Sequence, residues 1–129
     1  MPFSTKQLGN LPDAIAPDGS EVRVLCNTSR GSLAHFTLPP YGVSKAMVHC
    51  TVEEVWYFLS GRGRMWRRFL DQEEIVEVGP RVCITIPTGA HFQFCSVSHE
   101  PLTAVGTTMP PWPGEGEAVE VDGFWQATV

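Results

Sequence analysis

HCTVEEVWYFLSG, the stretch His49–Gly61, decides the fold of this chain. Its second half, Glu54–Leu59, is dense in aromatic and branched side chains, which are enriched in β-strands. Ser60-Gly61-Arg62-Gly63 follows, and its glycines permit the positive φ that a tight hairpin needs. Because a second strand-forming run, Gly63–Leu70, comes next, the sequence predicts a β-hairpin across this turn.

Short apolar runs separated by glycines and prolines fill most of the remaining chain. Gly contributes 12 residues and Pro 11, and no window carries a sustained period of 3.6 residues. This punctuation is typical of many short strands rather than of long helices. The predicted strands, which together indicate an all-β barrel or sandwich, are Glu21–Cys26, Ser32–Leu38, Ser44–Cys50, Glu53–Leu59, Gly63–Leu70, Glu74–Val78, Val82–Ile86, His91–Ser96 and Leu102–Thr108.

Length and composition indicate a single globular domain. The chain has 129 residues, of which 43% are hydrophobic and 18% charged, so it can bury a substantial core. A net charge of −5 argues against a general nucleic-acid binder. No run approaches 18 apolar residues, and no apolar signal segment is seen at the start, so we expect no membrane partner and a cytoplasmic location.

The four cysteines favour the same location. Cys26, Cys50, Cys83 and Cys95 form no CxxC pair, which a zinc ribbon would need. Each lies in an apolar, strand-like context, so we predict buried free thiols that pack as small hydrophobic groups.

The spacing of Glu54, Gly61 and the later run Pro87-Thr88-Gly89-Ala90-His91 resembles the cupin superfamily. The first cupin motif places an HxH pair before a glutamate and a glycine after it, and the second places PxG before a histidine. The resemblance extends over about residues 31–108. It implies a cupin-type β-barrel (a jelly roll, or double-stranded β-helix), frequently dimeric and frequently holding a divalent metal. We expect one cupin domain over residues 1–129, with its barrel core at about 21–108.

The resemblance also supplies candidate metal ligands, which are His49, Glu54 and His91. Imidazole and carboxylate groups together suit Fe, Mn, Ni, Cu or Zn. The chain departs from the motif at three positions. Met47 stands where the first histidine is expected, Phe92 where the last is expected, and Arg81 where a glycine is expected before Pro87. His91 comes one residue early, so a β-bulge would be needed to turn it inward.

Strand alternation predicts the walls of the barrel interior. If Glu54 points inward, so do Trp56 and Phe58, because alternate residues share a face. An ionised Glu54 among them is costly, so it needs a metal, a histidine or a basic partner, or else a raised pKa. By the same alternation Phe92 and Phe94 face inward while His91 and Gln93 face outward, although an amide could still hydrogen-bond a ligand. The predicted substrate-binding residues are Trp56, Phe58, Phe92, Gln93 and Phe94.

Two further segments leave alternatives open. Arg62, Arg64, Arg67 and Arg68 form either a solvated strand face or an anion-attracting patch. The segment 109–129 is irregular yet contains three large aromatic side chains, so it packs either on the barrel or on a partner.

Three functions are compatible with these features. The first is a metal-dependent cupin enzyme, such as a dioxygenase, isomerase or lyase, acting on a small organic molecule. The second is a metal-free cupin that binds an apolar or aromatic small ligand without catalysis. The third is an interaction module that uses the aromatic C-terminal segment. The fold by itself does not choose among them. We also expect a homodimer, because a second copy readily covers the edge strands of a small barrel.

Overall fold

The computed structural model describes residues 3–129, and all regular secondary structure in that range is β. Nine of the strands coincide with the predicted ones within a few residues. The fourth is shorter than predicted, and the first and last were not predicted. The strands are β1 (Ala14–Ile15), β2 (Glu21–Asn27), β3 (Ser32–Leu38), β4 (Met47–His49), β5 (Glu53–Ser60), β6 (Gly63–Phe69), β7 (Gln72–Val78), β8 (Cys83–Ile86), β9 (His91–Ser96), β10 (Leu102–Met109) and β11 (Ala118–Glu120).

The strands form two antiparallel sheets that enclose one hydrophobic core. One sheet has the order β1-β2-β3-β10-β5-β8, and the other has the order β11-β4-β9-β6-β7. The core between them contains large side chains from both sheets, including Trp56, Phe58, Met65, Phe92 and Phe94. The all-β prediction is therefore confirmed.

Strand β5 shows how the sequence pattern produces this layering. Glu54, Trp56 and Phe58 are buried, and the residues between them face solvent. The hairpin after β5 depends on Gly61, whose φ is +77°. A Cβ atom there would lie 2.4 Å from the Pro101 carbonyl oxygen, so a larger residue would not fit.

The C-terminal segment, residues 110–129, packs on the barrel itself. It contributes β11, which pairs with β4 and extends the second sheet. Further along, the Val121 N–H donates to the Ala46 carbonyl, and the Thr128 N–H donates to the Val43 carbonyl, both at 2.9 Å. The segment thus covers one face of the second sheet.

The cysteines are all free thiols, but their burial was predicted incorrectly. Cys95 is buried and Cys26 is partly buried, whereas Cys50 and Cys83 are exposed. Cys50 lies just beyond the end of β4. Cys83 lies on the outer face of β8, whereas the next residue, Ile84, is buried on the inner face. Over residues 3–129, no helix has the length and apolar character to cross a membrane.

Candidate functional site

A cavity of about 360 Å³ lies between the two sheets and is mostly apolar. It receives side chains from β2, β3, β4, β5, β9 and β10, and from the segments around β1 and β11. The polar groups that line it include His49 from β4, Glu54 from β5 and Asp18 from the β1–β2 turn. The apolar wall includes Leu33, Phe36, Met47, Trp56, Phe92 and Trp112.

His49 and Glu54 meet at the floor of this cavity. Nδ1 of His49 lies 3.4 Å from Oε2 of Glu54, and both side chains are buried, with Glu54 only 3% exposed. His49 Nδ1 and Glu54 Oε2 do not form a hydrogen bond with each other. Within the described part of the chain, both atoms are buried without a partner, as is the indole nitrogen of Trp56. Unpartnered buried polar atoms are uncommon in folded proteins, and they frequently mark a functional site.

The surroundings of the pair favour uncharged forms of both groups. Burial raises the pKa of Glu54 from 4.5 to about 8; the nearby Trp56 N–H opposes this rise, and the negative charges of Asp18 and Glu117 add to it. Burial lowers the pKa of His49 to about 4, although Glu117 acts in the opposite direction. At neutral pH the contact therefore joins a protonated carboxyl and a neutral imidazole, and it is not an ion pair.

Two further acids lie close to the pair. Burial raises the pKa of Asp18, although its Oδ1 accepts hydrogen bonds from the Ser20 N–H and hydroxyl at 2.9 and 2.6 Å. Glu117 accepts hydrogen bonds from the N–H groups of Thr51 and Val52 at 2.7 and 2.9 Å. Burial would raise the pKa of Glu117, but these bonds and the Thr51 hydroxyl hold it below its ordinary value.

Aromatic rings form the walls around the polar pair. Phe36 and Trp56 stack with ring centroids 5.0 Å apart and an interplanar angle of 15°. Phe92 and Trp112 contact the His49 ring edge-on, at centroid distances of 5.0 and 5.2 Å. Gly106 makes room for the stack, because a Cβ there would lie 2.8 Å from the Trp56 ring and 3.0 Å from Phe36.

Four positions of the cupin-like pattern converge on this cavity. Met47, His49, Glu54 and Phe92 all line it, as the spacing argument predicts. Met47 and Phe92 are direct partners across β4 and β9, so their side chains share the inner face. The structure therefore places a thioether and a phenyl ring where the resemblance calls for imidazoles.

His91, predicted as a third metal ligand, is not brought together with His49 and Glu54. It pairs regularly with Val48 on β4 and Arg68 on β6, and no bulge precedes it. Its side chain therefore keeps the outward orientation that strand alternation assigns. There Nδ1 of His91 lies 3.4 Å from the Arg68 guanidinium.

The predicted substrate-binding residues divide into three groups. Trp56 and Phe92 line the cavity. Phe58 and Phe94 point inward as expected, but they lie in the packed core beyond the cavity lining. Gln93 is buried on the outer face under the C-terminal segment, where its Oε1 accepts from the Phe124 and Trp125 N–H groups at 2.8 and 2.9 Å. Gln93 thus binds the chain's own terminus.

Several cavity residues were not predicted from the sequence. Asp18, Phe36, Gly106 and Trp112 come from parts of the chain outside the two cupin-like motifs. Trp112 is held beside the cavity by its backbone N–H, which donates to the Ser32 hydroxyl at 3.0 Å. The alternation of β3 was a usable signal for Phe36, and Gly106 lies on the predicted strand β10, whereas Asp18 and Trp112 depend on how loops fold over the barrel.

The arginines of the cluster lie on both faces of β6. Arg64 is on the outer face, 3.4 Å from Glu77 on β7, and agrees with the solvated-face interpretation. Arg67 is on the same face as buried Met65, and it donates to Glu74 at 2.8 Å and to the Thr85 carbonyl of the opposite sheet at 2.7 Å.

Comparison with solved structures identifies the fold. The protein BH2720 of Bacillus halodurans superimposes with a TM-score of 0.65 at 19% identity, over 77% of this chain and 76% of that chain. Bacillus subtilis oxalate decarboxylase, described for its Mn(II) centres, superimposes with a TM-score of 0.71 at 17% identity, over 87% of this chain and 30% of that one. The Schizosaccharomyces pombe Cnp3 cupin domain gives 0.63 at 9% identity, over 70% and 64%.

The chain therefore has the cupin fold, as the sequence predicted. At these identities the likeness concerns the fold and does not extend to an activity. The chain spans about a third of the oxalate decarboxylases that it matches. No protein-family model matches the sequence, and no curated protein matches it.

The residues present do not fit the resident metal that this fold can hold. Catalytic zinc sites, for comparison, use three protein ligands. In residues 3–129 no group of three or more His, Cys, Asp and Glu side chains is arranged to hold a metal ion. His49 and Glu54 supply only two donors. Met47 and Phe92 occupy the positions from which the remaining donors would come.

Proposed function

We propose that this protein is a cupin-fold binding protein that holds a small, largely apolar or aromatic organic molecule in its cavity without a resident metal. The observation that carries the proposal is the unpartnered pair formed by His49 Nδ1 and Glu54 Oε2 at the floor of an aromatic-walled cavity. A ligand that fills this space would contact both side chains, because His49 and Glu54 line the cavity.

The size and lining of the cavity support a small organic ligand. Its volume of about 360 Å³ falls within the range of small-molecule sites, which are typically mostly apolar with a few placed polar groups. The Phe36–Trp56 stack provides a flat wall, and Phe92 and Trp112 make T-shaped contacts with the His49 ring. Flat walls of this kind favour a planar, unsaturated molecule.

The polar pair supports a ligand that carries at least one hydrogen-bonding group. A protonated Glu54 can donate or accept, and a neutral His49 presents one donor and one acceptor nitrogen. The Trp56 indole adds a donor close by. Filling the cavity with a purely apolar molecule would leave all three groups unpaired, which is energetically costly.

The sequence-based prediction of a divalent metal has one supporting observation. Nδ1 of His49 and Oε2 of Glu54 are near enough, at 3.4 Å, for both to contact one ion. Two donors alone make a weak site, because His91 faces outward and Met47 and Phe92 replace the other imidazoles. The metal-free form is therefore the function that the geometry supports better.

Elemental analysis after exposure to Fe, Mn, Ni, Cu and Zn separates the two forms. We expect metal contents well below one per chain after desalting. Stoichiometric metal that is lost in both His49→Ala and Glu54→Gln would overturn the metal-free proposal. His99→Ala, which changes an exposed histidine, is the matched control.

Binding itself is tested by heteronuclear NMR with a library of small planar molecules. We expect binders to shift the indole N–H resonances of Trp56 and Trp112, which both line the cavity. Ala34→Leu places extra side-chain volume in the cavity, so it should lower the affinity of these molecules. Val105→Leu, on the neighbouring strand, is the control and should leave the affinity unchanged, because Val105 lies outside the cavity lining. Failure of the whole library to shift either resonance would count against the proposal.

A further inference from the structure

The charged groups in and around the cavity are unevenly distributed. Asp18 and Glu54 line it, and Glu117 lies directly behind the polar pair, where its charge acts on both His49 and Glu54. Of the described residues that line the cavity, none is Lys or Arg. An anion entering this space would meet the carboxyl groups of Asp18 and Glu54, with Glu117 beyond them, and no Lys or Arg side chain in the lining.

The nearest cations act elsewhere. Lys45 is the basic group that acts on Asp18, and it lies outside the cavity lining. Arg23 is held on the outer side by the Gly9 and Asn10 carbonyls, at 2.9 and 2.8 Å. Every charged group that acts on Glu54 is itself an acid. The carboxyl of Glu54 therefore lacks a positive partner within the described chain.

The cavity walls offer the second feature that a cation needs. The electron-rich faces of aromatic rings attract cations, most strongly where water is excluded. Phe36, Trp56, Phe92 and Trp112 all line this one cavity, and the last two contact the His49 ring. The Glu54 side chain lines the same space, and its Oε2 is buried without a partner.

We propose that the ligand is an organic cation, an ammonium group attached to a planar apolar body, with the ammonium against Glu54 and His49 and the body between the aromatic walls. This inference rests on the proposed function and specifies its ligand class. The ammonium donates to the Glu54 carboxyl, which releases its proton to solvent as the cation binds, and to the acceptor nitrogen of His49. The aromatic walls bury the attached body, and the acids nearby exclude carboxylates and phosphates of the same shape.

Three naphthalene probes with substituents of similar size and different charge test the ligand class. They are 2-naphthylmethylammonium, 2-naphthylmethanol and 2-naphthoate, titrated into the unmodified protein by calorimetry at neutral pH. We expect the ammonium to bind about tenfold or more tighter than the alcohol, and the carboxylate about tenfold or more weaker. Shifts of the Trp56 and Trp112 indole resonances establish that binding occurs in the cavity.

Glu54→Gln tests the assigned partner, with Glu53→Gln as its matched control on the outer face of the same strand. In Glu54→Gln the ammonium and the alcohol should bind within about threefold of each other, because the carboxylate partner is gone. Glu53→Gln should keep the full preference. The probe comparison on the unmodified protein stands even if the Glu54 variant does not fold.

The outcomes separate this inference from the proposed function. Cavity binding with equal affinities for all three probes, or with a preference for the alcohol or the carboxylate, overturns the organic-cation assignment and leaves small-molecule binding intact. Absence of binding by any probe in the cavity overturns both. An ammonium preference that survives in Glu54→Gln refutes the role given to that residue.

Discussion

Replacing Glu54 by Gln should change how the stability of the fold depends on pH. The pKa of Glu54 is raised to about 8 in the folded protein, against an ordinary value of 4.5. The unfolded chain therefore releases this proton at lower pH than the folded chain does. The stability that the protonated carboxyl contributes is fully present below about pH 4.5 and is lost as pH rises toward 8.

The magnitude follows from the size of the pKa shift. One pKa unit corresponds to about 1.4 kcal/mol, so the free energy of unfolding should fall by about 5 kcal/mol across this window because of Glu54 alone. Domains of this kind are stable by only about 5–15 kcal/mol, so the loss is large. Glu54→Gln removes the titrating group, and its stability relative to wild type should rise by about 1.4 kcal/mol per pH unit between pH 5 and 8.

Urea unfolding at several pH values between 5 and 9 measures this difference. Glu53→Gln, which removes an exposed carboxyl on the same strand, should track the wild type throughout. A stability difference between Glu54→Gln and wild type that stays constant with pH would refute the reasoning. A constant difference is also the result expected if Glu54 is ionised in the folded protein, as a bound metal would produce.

Four further changes have defined outcomes. Burial lowers the pKa of His49 to about 4, so the free energy of unfolding of the wild type should fall by about 3 kcal/mol as the pH drops from 6.5 to 4. His49→Gln should abolish this fall, which thermal melts at pH 4.5 and 7 measure. The same pH dependence in variant and wild type would show that His49 is already charged in the folded protein. Gly106→Ala should destabilise the fold by about 1–3 kcal/mol in urea, because its Cβ would press into the aromatic stack; unchanged stability would contradict the tight fit. Gln93→Ala should speed backbone amide hydrogen exchange in residues 118–129, because it removes the acceptor of the Phe124 and Trp125 backbone N–H groups. Unaltered exchange would show that other contacts hold the segment. We also expect a homodimer that uses the outer face of β5, where Tyr57 is 43% exposed. Tyr57→Lys should then shift the mass measured by light scattering to that of a monomer. A monomeric mass for the wild-type protein would refute the dimer.

The fold was predictable because its signals are local. Alternation along β5 placed Glu54, Trp56 and Phe58 on one face, and the structure buries all three. The hairpin at Gly61 follows from the conformation that only glycine adopts easily. The same alternation correctly indicated that His91 and Gln93 face outward, although both had been named as candidate site residues.

The candidate site was only partly predictable, because its composition depends on contacts between distant segments. The sequence by itself determined the cupin-type barrel and the inward direction of Glu54, since strand periodicity and turn chemistry act over a few residues. Only the tertiary structure decided that Asp18 and Trp112 join His49 in one cavity. It also decided that Glu54 has no positive partner, because charge and burial at a buried carboxyl are set by neighbours far away in the chain.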